Sequence, residues 1–408
     1  MNLVLTARPA GEPGNPTRDR PSLRTGRPIG GWAFLGVTVT SLGGPLALAA
    51  LYAPSIVADA SASAGLATLA AAVVFGAPLL IWLRYSAYVS DAGGLYAFVE
   101  AGAGRRVALV QAGLWIVSYL LYLLYTTATI VYDTLPAVLP GIRPYQPVLE
   151  IAIPVALAAV MLAGRAVTLA VTGVLATGQM ALVGVLATLA ASHHAPAASF
   201  GTGAPAGALA TASGQTALLY ICGSLPLFLG GEVARPTRTV RRGLVGGYLL
   251  VAAGVIAAVF PFAAEPGFTR APIPGMALAQ AYSTHPLAVT VGVGTAVSIA
   301  GVMLVEYLAL SRLLHAVSGR AVRSIVRALA VALVATAPIS LLDADRLYYD
   351  LLKPSLIALW LSQLVVFAVY PRFASSHSGR RLPAWALAAA ASAFTIYGLW
   401  ATVQHVSS

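Results

Sequence analysis

Apolar runs of roughly 20 residues, the length that crosses a hydrocarbon core as a helix, recur along nearly the whole chain. Windows and breakers place them near 31–56, 64–83, 106–132, 147–163, 167–191, 214–231, 243–262, 286–314, 324–342, 350–370 and 383–402, eleven in all. No succession of alternating ten-residue strands occurs, which argues against a barrel. Two of the runs are broken internally. The first is interrupted at Gly43-Gly44-Pro45, and the sixth at Gly223 and Pro226 before it enters a basic tail.

A broken helix exposes N–H and C=O groups at mid-membrane depth, which is tolerated only where protein or a water-filled site satisfies them. Paired interruptions at corresponding positions of two inverted halves are the pattern of binding sites in helical transporters. Spans one and six correspond if five spans repeat, inverted, as the next five. At the first break the glycines permit non-helical backbone, and Pro45 suits the first position of the restarted helix. Free N–H groups near Leu46 and Ala47 would receive a carboxylate, and the carbonyl ends of the preceding half-helices an ammonium group.

Composition agrees with the pattern: 59% of residues are hydrophobic and 9% charged, with mean hydropathy +0.83. A net charge of +11 in a soluble domain would point to nucleic acid, but here the arginines lie between apolar segments. With the N-terminus cytoplasmic, all 24 basic residues except Arg143, Arg270, Arg346 and Lys353 fall on the cytoplasmic side. Adding or removing one span would invert the later loops and destroy this asymmetry. The expectation is therefore an eleven-span protein of the cell (plasma) membrane with its C-terminus outside. Residues 1–30 read as a disordered basic tail, not a signal peptide. The 84–106 connection predicts a short helix along the cytoplasmic face, and 192–213 a flexible outside connection. Cys222 is the only cysteine, so an intramolecular disulfide is impossible.

Glu232-Val233-Ala234-Arg235-Pro236, followed by Thr237-Arg238-Thr239-Val240-Arg241-Arg242, resembles the signature after the sixth span of the amino acid-polyamine-organocation permeases. Ala92-Gly93-Gly94-Leu95-Tyr96-Ala97-Phe98-Val99, ending at Gly104-Arg105-Arg106, is similar to their connection between spans two and three. Ala309-Leu310-Ser311-Arg312-Leu313-Leu314-His315-Ala316 is similar to the end of their eighth span. Together these matches cover spans one to ten. The resemblance implies an all-α membrane protein of LeuT-type fold, with inverted five-helix repeats at 31–191 and 214–370 and an additional helix at 383–402. It also implies secondary transport of amino acids or related small amines by alternating access, driven by a proton or sodium gradient or by exchange. By position, Ser41, Gly43, Gly44 and Leu46 would line the carboxylate side of the substrate, and Ile221, Cys222, Gly223 and Ser224 the amine and side-chain side. The chain departs from the family at Pro45, which lacks the N–H a glycine would offer, and at Gln179, where a lysine is often found.

Glu306 lies within span eight, and an ionisable residue at that depth is a functional candidate by default. The resemblance places it near a cation site between spans one and eight, where it could carry a proton or hold sodium. The alternative is a carboxylate in an inward-facing water cavity, or one paired with an arginine. Asp91, Gly93, Gly94, Glu232, Pro236 and Arg312 are read as the cytoplasmic gating motif, the acids pairing with arginines. Tyr119, Tyr122 and Tyr125 share one face of span three, with Tyr122 the best placed to wall a substrate. Ser362 and Gln363 in span ten are weaker candidates. His193 and His194 lack a third ligand at a recognisable spacing, so no metal is expected. No Gly-Lys-Ser/Thr phosphate loop occurs, and no paired nucleophile and base lies at membrane depth, so neither ATP, another cofactor nor an enzyme is expected. A membrane sensor or channel that keeps the fold without coupled transport remains the alternative.

Overall fold

The structure, a computed structural model, describes residues 28–377 and 381–405. The expected basic tail falls mostly on residues 1–27, outside the described residues. Eleven helices are long and apolar enough to cross a membrane: Gly31–Ala60, Ala64–Ser86, Arg105–Val138, Pro140–Leu162, Arg165–His193, Ala206–Glu232, Pro236–Val259, His285–Ser318, Val322–Leu341, Ala344–His377 and Arg381–Gln404. Each expected window has its helix, and the chain is a multi-pass helical membrane protein. The helices overrun their windows because apolarity marks only the hydrocarbon core, whereas hydrogen bonding carries a helix on into the interface.

Burial sorts the spans into an inner set and a lipid-facing set. The most apolar windows of spans one, six and eight are 83%, 72% and 67% buried, against 28% for spans four and five. The two broken helices and the glutamate-bearing helix therefore form the centre. Small residues allow the close approach that membrane helices need in place of a hydrophobic driving force. A methyl on Gly36 would fall 3.1 Å from Gly173 Cα on span five, and one on Gly247 of span seven would meet Thr38 at 2.7 Å.

Two connections differ from expectation. The 84–106 segment does contain a helix, Leu95–Ala103, but it does not lie along the surface. Leu95, Tyr96, Phe98 and Val99 are buried, and Phe98 stacks on Tyr85 of span two at 4.8 Å. Four apolar side chains in five residues are reason enough to sink it between spans. The 192–213 segment is likewise built in. It holds a 3-10 turn at Pro196–Phe200 and the first turns of span six, which begins at Ala206. Ser63, at the outer end of span one, donates to the Gly201 carbonyl at 2.7 Å and accepts from the Ala204 N–H at 3.2 Å.

Candidate functional site

Span one is α-helical over Gly31–Ser41, opens over residues 42–44, and restarts at Pro45. Gly43 and Gly44 have φ of 70° and 68°, in the left-handed region. Gly44 is required sterically as well, since a methyl there would fall 2.6 Å from Ser298 Oγ and 2.8 Å from the Ser298 carbonyl oxygen. Of the two N–H groups expected to face a guest, that of Ala47 is already engaged. The Ala47 N–H donates to Ser298 Oγ at 3.2 Å, and that hydroxyl donates to Gln179 Oε1 at 2.8 Å. Ser41 donates to its own helix, at the Thr38 carbonyl, and the Leu46 side chain is fully buried. The residue standing where a lysine would be is thus tied through a serine to the first break.

Span six is α-helical only to Leu218, and from Ile221 to Glu232 it winds as a 3-10 helix with no α-helical restart. Pro226 cannot donate to an α ladder, and Gly223, Gly230 and Gly231 lower helix propensity around it. Twelve residues of 3-10 winding is long for that geometry, whose runs seldom exceed three or four residues. The two breaks abut. A methyl on Gly43 would lie 3.0 Å from the Leu219 carbonyl oxygen, and one on Gly223 would meet the Leu42 side chain at 2.7 Å. Ser224 donates back to the Ile221 carbonyl and accepts from Gln363 Nε2, both at 3.3 Å. Ser362, buried beside Gln363, accepts from Gln111 Nε2 of span three at 2.9 Å. Both span-ten candidates therefore connect to the site's walls.

Glu306 is fully buried. Its Oε1 lies 3.9 Å from Cys222 Sγ, and its Oε2 has no partner. Among the described residues no arginine pairs with it. Tyr119, Tyr122 and Tyr125 do run along one face, with ring centroids 6.2 and 5.1 Å apart, and all three are electrostatic neighbours of both Glu306 and Cys222. Trp115 stacks on Tyr119 at 3.8 Å and leans on Phe228 of span six at 4.6 Å. Gln111 Oε1, Trp115 Nε1, Gln179 Nε2 and Gln363 Oε1 are also buried without a partner. Each such group costs about 1–3 kcal/mol, and buried polar groups are nearly always satisfied. Their concentration around the breaks marks a place suited to a polar guest.

At the arginine-rich end, Glu232 is held twice: Arg165 Nη1 of span five donates to Oε2 at 2.8 Å, and Arg312 Nε of span eight to Oε1 at 2.9 Å. The expected pairing is thus present and joins three spans. Ile29, placed in the tail by sequence, is buried and donates its N–H to the Glu232 carbonyl at 2.9 Å. A cavity of about 610 Å³, lined by Arg165, Arg312, His315 and Arg323, opens beside this cluster. Asp91 Oδ1 accepts the Gly93 N–H at 2.8 Å, Gly94 takes φ 51° with Phe228 against it, and Pro236 opens span seven. These residues, expected to form the gating motif, gather at one end of span six, apart from Glu306. Sequence reasoning missed Ser298, Gln111, Trp115 and Phe228. The first three are polar atoms carried inside apolar spans, a signal that was present but shared with many ordinary helix-packing residues.

Compared by sequence, the chain matches no family model and no curated protein. Compared by structure, it is similar to MhsT, whose crystal structure contains L-phenylalanine: TM-score 0.57, 12% identity, covering 90% of this chain and 97% of that one. It is also similar to a Na⁺-coupled sialic acid symporter in a substrate-bound outward-open state: TM-score 0.57, 9% identity, covering 94% of this chain and 91% of that one. The chain has a LeuT-type fold, shared with these transporters over nearly its full length.

Proposed function

We propose that this chain is a secondary active transporter of a small amine-bearing solute, an amino acid or related amine, working by alternating access in the plasma membrane with its N-terminus cytoplasmic. In this reading residues 31–191 and 214–370 are the two inverted repeats, and 383–402 lies outside them. The observation that carries it is the contact between two broken spans beside a buried carboxylate with an unpartnered oxygen. Two structures of the same fold, one a complex with an amino acid and one a Na⁺-coupled symporter, support the class.

The amine end of the substrate is the better provided. Pro45 has no N–H and that of Ala47 is engaged, so the first break offers a carboxylate fewer donors, whereas buried Glu306, with its unpartnered Oε2, and the neighbouring tyrosines suit a cation. Glu306 holds the amine or the coupling cation, a proton or sodium, and the Arg165–Glu232–Arg312 cluster closes the inner end. Counterflow in liposomes tests this, with alanine, phenylalanine, phenethylamine and putrescine as labelled probes. Saturable counterflow of at least one amine is expected, with gradient-driven uptake lost and binding retained in Glu306→Gln. Ion conductance, or binding without flux, would replace the reading with a channel or a sensor. Unchanged pH and sodium dependence in Glu306→Gln would remove the carboxylate from coupling.

A further inference from the structure

A second large cavity, about 770 Å³, lies at the arginine-rich end between spans two, seven and ten, away from the breaks and from the Glu232 cluster. Its composition is that of an amphiphile's binding site. Arg84 and Arg241 stand on opposite walls, His377 at the rim, and Tyr370 and Phe373 form a buried floor. No carboxylate lines it. The contrast with the neighbouring cavity is chemical: there Glu232 neutralises Arg165 and Arg312, whereas here Arg84 donates only to the Tyr370 hydroxyl, at 3.1 Å, and Arg241 has no ion pair among the described residues.

From the two arginines toward mid-membrane the walls turn apolar in single helical steps. Leu80 lies one turn from Arg84 and Val245 one turn from Arg241, each step about 6 Å. Leu80 is 46% exposed, so the cavity's apolar wall reaches the lipid-facing surface. A site for a soluble anion would need neither this apolar track nor an opening to the hydrocarbon.

We propose that this cavity binds an anionic phospholipid of the cytoplasmic leaflet, its phosphate between Arg84 and Arg241 and its acyl chains along Leu80, Leu83 and Val245. Two fixed cations without a counter-ion at headgroup depth attract anionic lipid, and basic pockets between helices are a known form of such recognition. The site ties spans two, seven and ten together at the surface. It does not depend on what the protein transports.

Native mass spectrometry of the full chain in detergent, titrated with phosphatidylglycerol or phosphatidylcholine, tests the assignment. Wild type is expected to retain phosphatidylglycerol at least tenfold more tightly, and Arg84→Gln and Arg241→Gln each to weaken it about fivefold without changing phosphatidylcholine. Arg143→Gln, on an exposed turn elsewhere, leaves both lipids unchanged. Because Arg241 is exposed and has no ion pair among the described residues, its variant carries the test even if loss of the Arg84–Tyr370 bond unsettles the fold. Equal retention of the two lipids by wild type, or a preference undiminished in Arg241→Gln, overturns the proposal. Displacement of bound lipid by millimolar inorganic phosphate would reassign the site to a soluble anion.

Discussion

The two breaks are opposites in how they satisfy their backbone. The first is sealed by its neighbours: both its glycines have positive φ, and its restart is capped by Ser298, itself held by Gln179. The second keeps negative-φ geometry, winds tightly for twelve residues, and rests on 3.3 Å hydrogen bonds beside an acid with an unused oxygen. One break is a fixed joint and the other is the side with unspent hydrogen-bonding capacity. Motif position alone would have treated them as equals.

The sharpest way to break that comparison is to add one methyl to each. Gly44→Ala forces an L side chain into a left-handed conformation, about 1–2 kcal/mol, and drives it into the Ser298 backbone, about 1–3 kcal/mol more. Gly223→Ala has no such φ penalty, and its methyl meets the end of the Leu42 side chain, which can turn aside. We expect a fall in apparent melting temperature and folded yield for Gly44→Ala, measured by fluorescence-detected size exclusion, and about 1 kcal/mol or less for Gly223→Ala. Equal losses would mean that the sixth span is as fixed as the first.

That prediction also shows where sequence reading stopped. The span count, the two interruptions and the acid in span eight were legible because each is a local departure from apolarity, which the bilayer makes expensive. Glu232 as an ion-pair member was legible for the same reason. What Gly44 touches was not, because Ser298 is 254 positions away in the chain and a serine in an apolar span has no signature of its own. The surface helix expected at 84–106 was sunk by tertiary packing that periodicity does not encode, and the interruption expected at Gly223 and Pro226 proved to be a 3-10 run of twelve residues. In both places the sequence identified an element, and long-range contacts decided its depth or winding.

A smaller effect separates the breaks by hydrogen bonding. Ser298→Ala removes the acceptor of the Ala47 N–H and strands the buried Gln179 carbonyl, a loss of about 1–3 kcal/mol. Ser224→Ala removes two long bonds and is expected to cost less than about 1 kcal/mol. Paired thermal denaturation of the two variants in one detergent checks this. If Ser224→Ala proves the more damaging, the second break is the structural joint and the assignment reverses.

The smallest perturbation is chemical and leaves the sequence intact. Cys222 is the only thiol, is partly accessible, and lies 3.9 Å from Glu306 at the second break. If that break is where substrate sits, a small thiol reagent labels Cys222 and stops flux, and bound substrate slows the labelling. Protection follows occupancy, so a ligand at ten times its Kd should slow the reaction about tenfold. Fluorescence-quench or mass-shift kinetics read this directly, and Cys222→Ala supplies the unlabelled control. A rate indifferent to a solute that the protein demonstrably transports would place the guest away from the second break. The unpartnered oxygen of Glu306 would then face a coupling cation and not the substrate.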